Sequence, residues 1–408
     1  MNEHPIIIFM ALLILAFGIF SKKVEKTIIS PPMVFVLIGL IVSFLGIEFL
    51  EEGPKAGIVK PFAELTLILV LFIDASTINR NVLRLDMSLP LRLLLIGLPL
   101  TMLLGALLAL PLFPEISTVA LVMMAFILSP TDAALGQAVV TGEQVPLRIR
   151  QTINVESGLN DGIALPPILI CFAILSGKAG GSTDFSYWFT FIVKQFLFGP
   201  IIGGFVGWLG GVIVEKYSKK GWMSHTYQML ASVAIAILAY SLAEHLGGNG
   251  FIAAYFAGLM LGTQSEMIRE RIREFGEAES QVLIMFIFLL FGMILLPISY
   301  QYWDWRAWVY AVLSLTIIRI LPVALSLIGS GLDRKTVLFI GWFGPRGIAS
   351  VLYLLMAVIQ LGVEGYEKVT AVISLTVFLS IFLHGLTALP FSKLFSEKDE
   401  SPSPSKQT

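Results

Sequence analysis

The stretch "NVESGLNDGIALP", residues 154–166, sets Glu156, Ser157, Asn160 and Asp161 into an otherwise apolar run. Residues four apart share a face of a helix. Glu156 and Asn160 therefore form one polar stripe, and Ser157 and Asp161 form its neighbour. Carboxylates, a hydroxyl and an amide offer oxygen, the ligand type that hard cations prefer, and a carboxylate can also take up a proton. Two further apolar stretches carry charge: "LSPTDAALG" (128–136), with Thr131 and Asp132, and "WFGPRGIAS" (342–350), with Arg346. Arg319 stands in "LTIIRILPV" (315–323).

Asp132, Glu156 and Asp161 against Arg319 and Arg346 leave one excess negative charge, which one monovalent cation or one proton would neutralise. Arginine stays protonated in proteins, so the group that titrates is a carboxylate. An adjacent arginine holds a carboxylate ionised, which leaves the carboxylate without such a partner to exchange protons. Pairing Glu156 and the Asn160 amide with Arg319 leaves Asp161 beside Ser157 and the backbone near Thr131, although the two arginines could exchange roles. Asp132 and Arg346 suit helix ends, where anions favour N-termini and cations C-termini. A salt-bridge network that merely holds helices together accounts for Glu156 at least as well. It accounts poorly for Asp161, which has no basic partner of its own. Asp74 lies near the end of its apolar stretch and reads as solvated or paired with an arginine. Lys194 and His384 are given no role.

The elements that must position these groups follow from composition. The 408 residues are 56% hydrophobic and 13% charged, with a mean hydropathy of +0.86. Soluble domains carry about 25% charged residues. Repeated apolar runs of about 20 residues are expected to be membrane-spanning helices, which satisfy their own backbone in lipid. A net charge of −1 argues against a nucleic-acid partner, and the single cysteine, Cys171, excludes an intrachain disulfide. The first apolar stretch reads as a retained span rather than a signal peptide.

About thirteen spans are expected, at 5–20, 28–47, 61–79, 89–112, 117–139, 151–175, 187–214, 226–246, 249–264, 281–298, 306–329, 336–361 and 367–391. Residues 1–395 would form one polytopic membrane unit, and 396–408, rich in Ser and Pro, a short disordered tail. Of the 27 lysines and arginines, eighteen fall on one set of loops and five on the other. The positive-inside rule then puts the C-terminus in the cytoplasm and the N-terminus outside. Pro130 in span five, with Gly344, Pro345 and Gly347 in span twelve, marks two interrupted helices. They sit seven spans apart and so run in opposite directions. Spans 1–6 and 8–13 would be inverted repeats joined by span seven, an arrangement that places a transporter's site at the two breaks. The glycines at 199, 203, 207 and 211 line one face of span seven, for packing within the chain or against a second copy. The charged stretch 265–280 reads as a solvated connection.

"SPTDA", "ESGLND" and "GPRG" together resemble monovalent cation:proton antiporters of the NhaP/NHE type, and the thirteen-span layout is similar over essentially the whole chain. The resemblance implies an NhaA-like all-α fold with crossing helices 5 and 12. It implies Asp161 as the ion-binding carboxylate, with Thr131 and Ser157 offering oxygen and Glu156 assisting. Asn160, Asp132, Arg319 and Arg346 would support the site. Exchange of Na⁺ or Li⁺, with K⁺ as a further candidate, for H⁺ by alternating access is expected to be electroneutral, because the Asn-Asp pair is typical of that branch. The resemblance further implies a homodimer in a prokaryotic inner membrane, with a mobile core beside a dimerisation domain and no long regulatory tail. No cofactor and no enzymatic activity are expected. The alternative is a proton-coupled transporter of a small organic solute, though such solutes commonly need a cationic recognition group and the excess charge here is negative. A cation channel would need a filter sequence, and an intramembrane hydrolase built on Asp132 and Asp161 would leave the arginines and Asn160 without purpose.

Overall fold

The computed structural model describes residues 4–24, 27–45, 59–77, 88–132, 144–177, 193–264 and 266–396, with the isolated positions 135, 139 and 190. Among the described residues every element is helical, and each predicted span carries a helix. The helices are α1 (His4–Val24), α2 (Pro31–Phe44), α3 (Val59–Thr77), α4 (Ser88–Leu112), α5 (Thr118–Ile127), α6 (Leu147–Leu175) and α7 (Gly199–Lys219). They continue with α8 (His225–His245), α9 (Gly250–Gln264), α10 (Glu266–Leu290), α11 (Trp305–Ser326), α12 (Arg334–Trp342), α13 (Ile348–Leu361) and α14 (Glu367–Ser396). Six described helices are long and apolar enough to cross a membrane. Residues beyond Ser396, including nearly all of the expected tail, lie outside the described residues. The charged stretch 265–280 is helical from Glu266 onward and runs directly into the apolar part of α10.

Side-chain caps set several helix starts. Ser117 Oγ accepts from Ala120 N at 3.3 Å at the start of α5, and Asp333 Oδ1 accepts from Thr336 N at 3.1 Å at the start of α12. Such caps satisfy backbone donors that the first turn leaves unpaired. Among the described residues three π turns run into α-helix: Leu93–Gly97, Lys194–Phe198 and Phe291–Leu295. Each is followed, two residues on, by a proline: Pro99, Pro200 and Pro297. Proline brings no N–H and crowds the carbonyl four residues back, and in all three cases that carbonyl lies within the π turn. The helix widens by one residue instead of breaking.

Glycines decide how the helices pack. A methyl at Gly203 or Gly207 of α7 would fall on the Ala253 or Ala257 carbonyl of α9, so this glycine face packs within the chain. On its other side α9 brings Gly258 and Gly262 against the Phe72 and Ser76 carbonyls of α3. The result is a close sandwich of α7, α9 and α3, and α3 in turn packs on α6.

Candidate functional site

The residues that follow α5 meet the break between α12 and α13. α5 ends at Ile127 and residues 128–132 are not helical; α12 ends at Trp342 and α13 begins at Ile348. The expected second half of span five lies almost entirely outside the described residues. Asp132 N donates to the Pro345 carbonyl at 2.8 Å, so the two non-helical segments are hydrogen-bonded to one another. Each segment also treats the other's helix end. Asp132 Oδ2 accepts from Ile348 N at 2.9 Å, placing a carboxylate at the N-terminus of α13. Arg346 Nη1 donates to the carbonyls of Ser129 at 2.6 Å and Pro130 at 3.3 Å, just past the C-terminus of α5. Both placements oppose the partial charge of a helix end. Ser350 Oγ adds a bond to the Ile127 carbonyl at 2.7 Å, and Arg346 N donates to Ser380 Oγ of α14 at 2.7 Å.

Both glycines of "GPRG" are required by space. A methyl at Gly347 would coincide with the Asp132 carboxylate, and one at Gly344 with the Arg319 guanidinium. Gly347 has φ −136°, which other residues adopt, so crowding rather than backbone conformation excludes a side chain here.

α6 runs beside the crossing. Glu156 and Arg319 form a two-pronged ion pair, Nη1 to Oε1 at 2.6 Å and Nη2 to Oε2 at 2.8 Å, with both side chains buried. Bidentate geometry is the strongest arrangement open to such a pair. The partner of Glu156 is thus Arg319, while Arg346 is spent on backbone carbonyls. Arg319 sits just past an interruption of α11 at Thr316, a third broken helix that the predicted spans did not include. Ser157 Oγ donates to the Thr131 carbonyl at 2.9 Å, and Asn160 Nδ2 donates to Thr131 Oγ1 at 2.6 Å. The predicted pairing of Asn160 with Arg319 therefore gives way to a bond with Thr131.

Asp161 completes the group. It is buried, its Oδ1 accepts no hydrogen bond, and no basic side chain reaches it among the described residues. Its backbone carbonyl accepts from Tyr353 of α13 at 3.1 Å. Asp161 lies within electrostatic reach of Asp132 and of Asp74 on α3. Asp74 is the residue that sequence reasoning set aside. A methyl on Gly158 of α6 would stand 3.8 Å from the Asp74 carbonyl, so α3 passes directly beside the polar stripe. Asp74, Ser157 and Gly158 are half-buried, which leaves this edge of the cluster open. An acidic residue in "LFIDASTINR" was visible in sequence. Its neighbour across the interface was not. With Asp74 included, the cluster carries four carboxylates against two arginines.

A helix end and a helix break joined through unwound backbone, next to a membrane-depth cluster with an unmatched carboxylate oxygen, fit a polytopic helical membrane protein of the secondary-transporter class. The family model "Sodium/hydrogen exchanger, transmembrane" matches residues 8–394, and the chain belongs to that family. It is 25% identical over 307 residues to a Na⁺/H⁺ antiporter of Schizosaccharomyces pombe, covering 68% of this chain and 65% of the relative. It is 27% identical over 285 residues to the K⁺/H⁺ antiporter NhaP of Alkalimonas amylolytica, covering 69% of this chain and 48% of that one. This chain thus spans less than two thirds of each relative's length. The fold is that of the sodium proton antiporter MjNhaP1 from Methanocaldococcus jannaschii, with a TM-score of 0.78, 20% identity, and coverage of 96% of this chain and 99% of the other.

Proposed function

We propose that the chain exchanges a monovalent cation for a proton across the membrane, with the two competing for Asp161. The observation that carries this reading is the buried Asp161 carboxylate, with an unmatched oxygen and no basic partner among the described residues, one helical turn from Ser157, whose hydroxyl reaches the Thr131 carbonyl. A cation sharing that oxygen needs no other anion to neutralise it, and a proton on the same oxygen removes its ligand. If the core reorients only when Asp161 is loaded, the mutual exclusion couples the two fluxes. Thr131, Ser157 and Asp74 are the further oxygen donors, while Glu156, Asn160, Asp132, Arg319 and Arg346 hold the frame. The relatives are named as Na⁺/H⁺ and K⁺/H⁺ antiporters, so Na⁺, Li⁺ and K⁺ are all candidates. The distribution of basic loop residues supports an N-terminus outside and a cytoplasmic C-terminus. A prokaryotic inner membrane and a homodimer are part of the same reading.

The test is a proteoliposome with an imposed acid-inside gradient and a fluorescent pH dye, challenged with Na⁺, Li⁺ and K⁺ in turn. Collapse of the gradient by at least one ion, abolished in Asp161→Asn, is the expected result. A native protein that is folded and indifferent to all three ions would sink the reading.

A further inference from the structure

One face of α14 carries Ser380, His384 and Thr387, and cation exchange as described gives His384 and Thr387 no part. All three reach the break after α12. Ser380 Oγ accepts the Arg346 N–H at 2.7 Å. His384 is buried, with Nδ1 at 3.2 Å from Ser380 Oγ and 3.0 Å from the Ser380 carbonyl. Its ring stacks on the Trp342 indole, centroids 4.8 Å apart and planes 29° from parallel. Trp342 is the last residue of α12, and its Nε1 donates to Thr387 Oγ1 at 3.0 Å.

A neutral imidazole offers one donor and one acceptor. The Ser380 carbonyl can only accept, so its 3.0 Å contact calls for the N–H on Nδ1, which then also stands within reach of Ser380 Oγ, the atom that accepts the Arg346 N–H. We propose that His384 is a positioning residue for cation binding. Through Ser380 it fixes the Arg346 main chain, and through Trp342 it fixes the end of α12. Arg346 then holds the Ser129 and Pro130 carbonyls, and with them Thr131, an oxygen donor in the exchange reading. This inference rests on the exchange reading above.

The experiment measures Na⁺ dependence of exchange in proteoliposomes for native protein, His384→Phe, His384→Gln and Ser380→Ala. Phenylalanine keeps the stack on Trp342 but not the hydrogen bonding to Ser380; glutamine keeps a donor. His384→Phe and Ser380→Ala are expected to raise the apparent KM for Na⁺ about five-fold, the effect of one lost hydrogen bond, with the maximal rate held within about two-fold. His384→Gln is expected to return KM toward native. An unchanged KM in His384→Phe, or a loss of rate alone in every variant, overturns the proposal. If His384→Phe does not fold, Ser380→Ala decides by the same criterion. The Na⁺ concentration for half-maximal thermal stabilisation in detergent repeats the comparison without transport. Native protein showing neither exchange nor Na⁺-dependent stabilisation sinks the exchange reading and this proposal together; active native protein with unshifted variants sinks only this one.

Discussion

Glu156 and Arg319 neutralise one another where water is scarce, and removing either leaves a buried charge without its partner. Such a loss costs about 3–5 kcal/mol, whereas replacing both partners by uncharged groups is often close to neutral. Glu156→Gln and Arg319→Met are therefore each expected to lower the melting temperature in detergent by several degrees, and the double variant to recover most of the loss. Equal, additive losses would show that the pair is not a unit. Gly347 presents the opposite situation, because there an added methyl is the fault. It would displace the Asp132 carboxylate from the first turn of α13, so Gly347→Ala is expected to lower the exchange rate at least ten-fold. A native rate would mean that the Asp132 cap is dispensable. Charged residues inside apolar runs are conspicuous because burying them is costly, and that made Glu156, Asp161, Arg319 and Arg346 legible in sequence. Asp74 escaped because nothing along α3 reveals that Gly158 lets it approach the stripe on α6.

The end of α5 and the break between α12 and α13 were legible because Pro130, Pro345 and the glycines around Pro345 remove donors or admit unwound backbone. The π turns were not, since Pro99, Pro200 and Pro297 could equally have kinked or ended their helices. The interruption of α11 at Thr316 carries no glycine or proline, so local sequence offers no sign of it. Outside the apolar segments, Asp304 couples two elements at once. It caps α11 through Ala307 N at 3.0 Å and pairs with Lys368, near the start of α14, at 2.6 Å. Partial burial pushes its carboxyl upward, but the Lys368 and Ala307 hydrogen bonds outweigh that and hold it below the usual value. A depressed folded-state pKa stabilises above the ordinary carboxylate pKa of about 4, and this contribution is lost as pH falls through the folded value. Asp304→Asn keeps the cap and removes the charge. It is expected to melt about a degree below native protein at pH 7, a small effect because the pair is partly exposed. The two proteins should converge near the acid end of the titration, and a gap that widens on acidification would reverse the sign of the argument.

Across the whole molecule the decisive quantity is the charge carried by the cluster in each half of its cycle. Asp132, Glu156, Arg319 and Arg346 are each tied to a helix end or to one another. In the proposed exchange the moving charge is that of Asp161, and Asp74, which α3 brings alongside, is the second candidate. If Asp74 keeps one protonation state throughout, a cation in one direction replaces a proton in the other and no net charge crosses. If Asp74 releases its proton whenever the cation binds, two protons move per cation and the cycle becomes electrogenic. Valinomycin with equal K⁺ on both sides separates these cases by short-circuiting any potential that transport builds. Electroneutral exchange is expected, so the ionophore should leave the Na⁺-driven pH change unaltered. In Asp74→Asn the exchange should remain insensitive to valinomycin, with a higher apparent KM because an amide oxygen replaces a carboxylate. A more than two-fold acceleration of the native protein by valinomycin, abolished by Asp74→Asn, would make Asp74 a second proton carrier and the exchanger electrogenic.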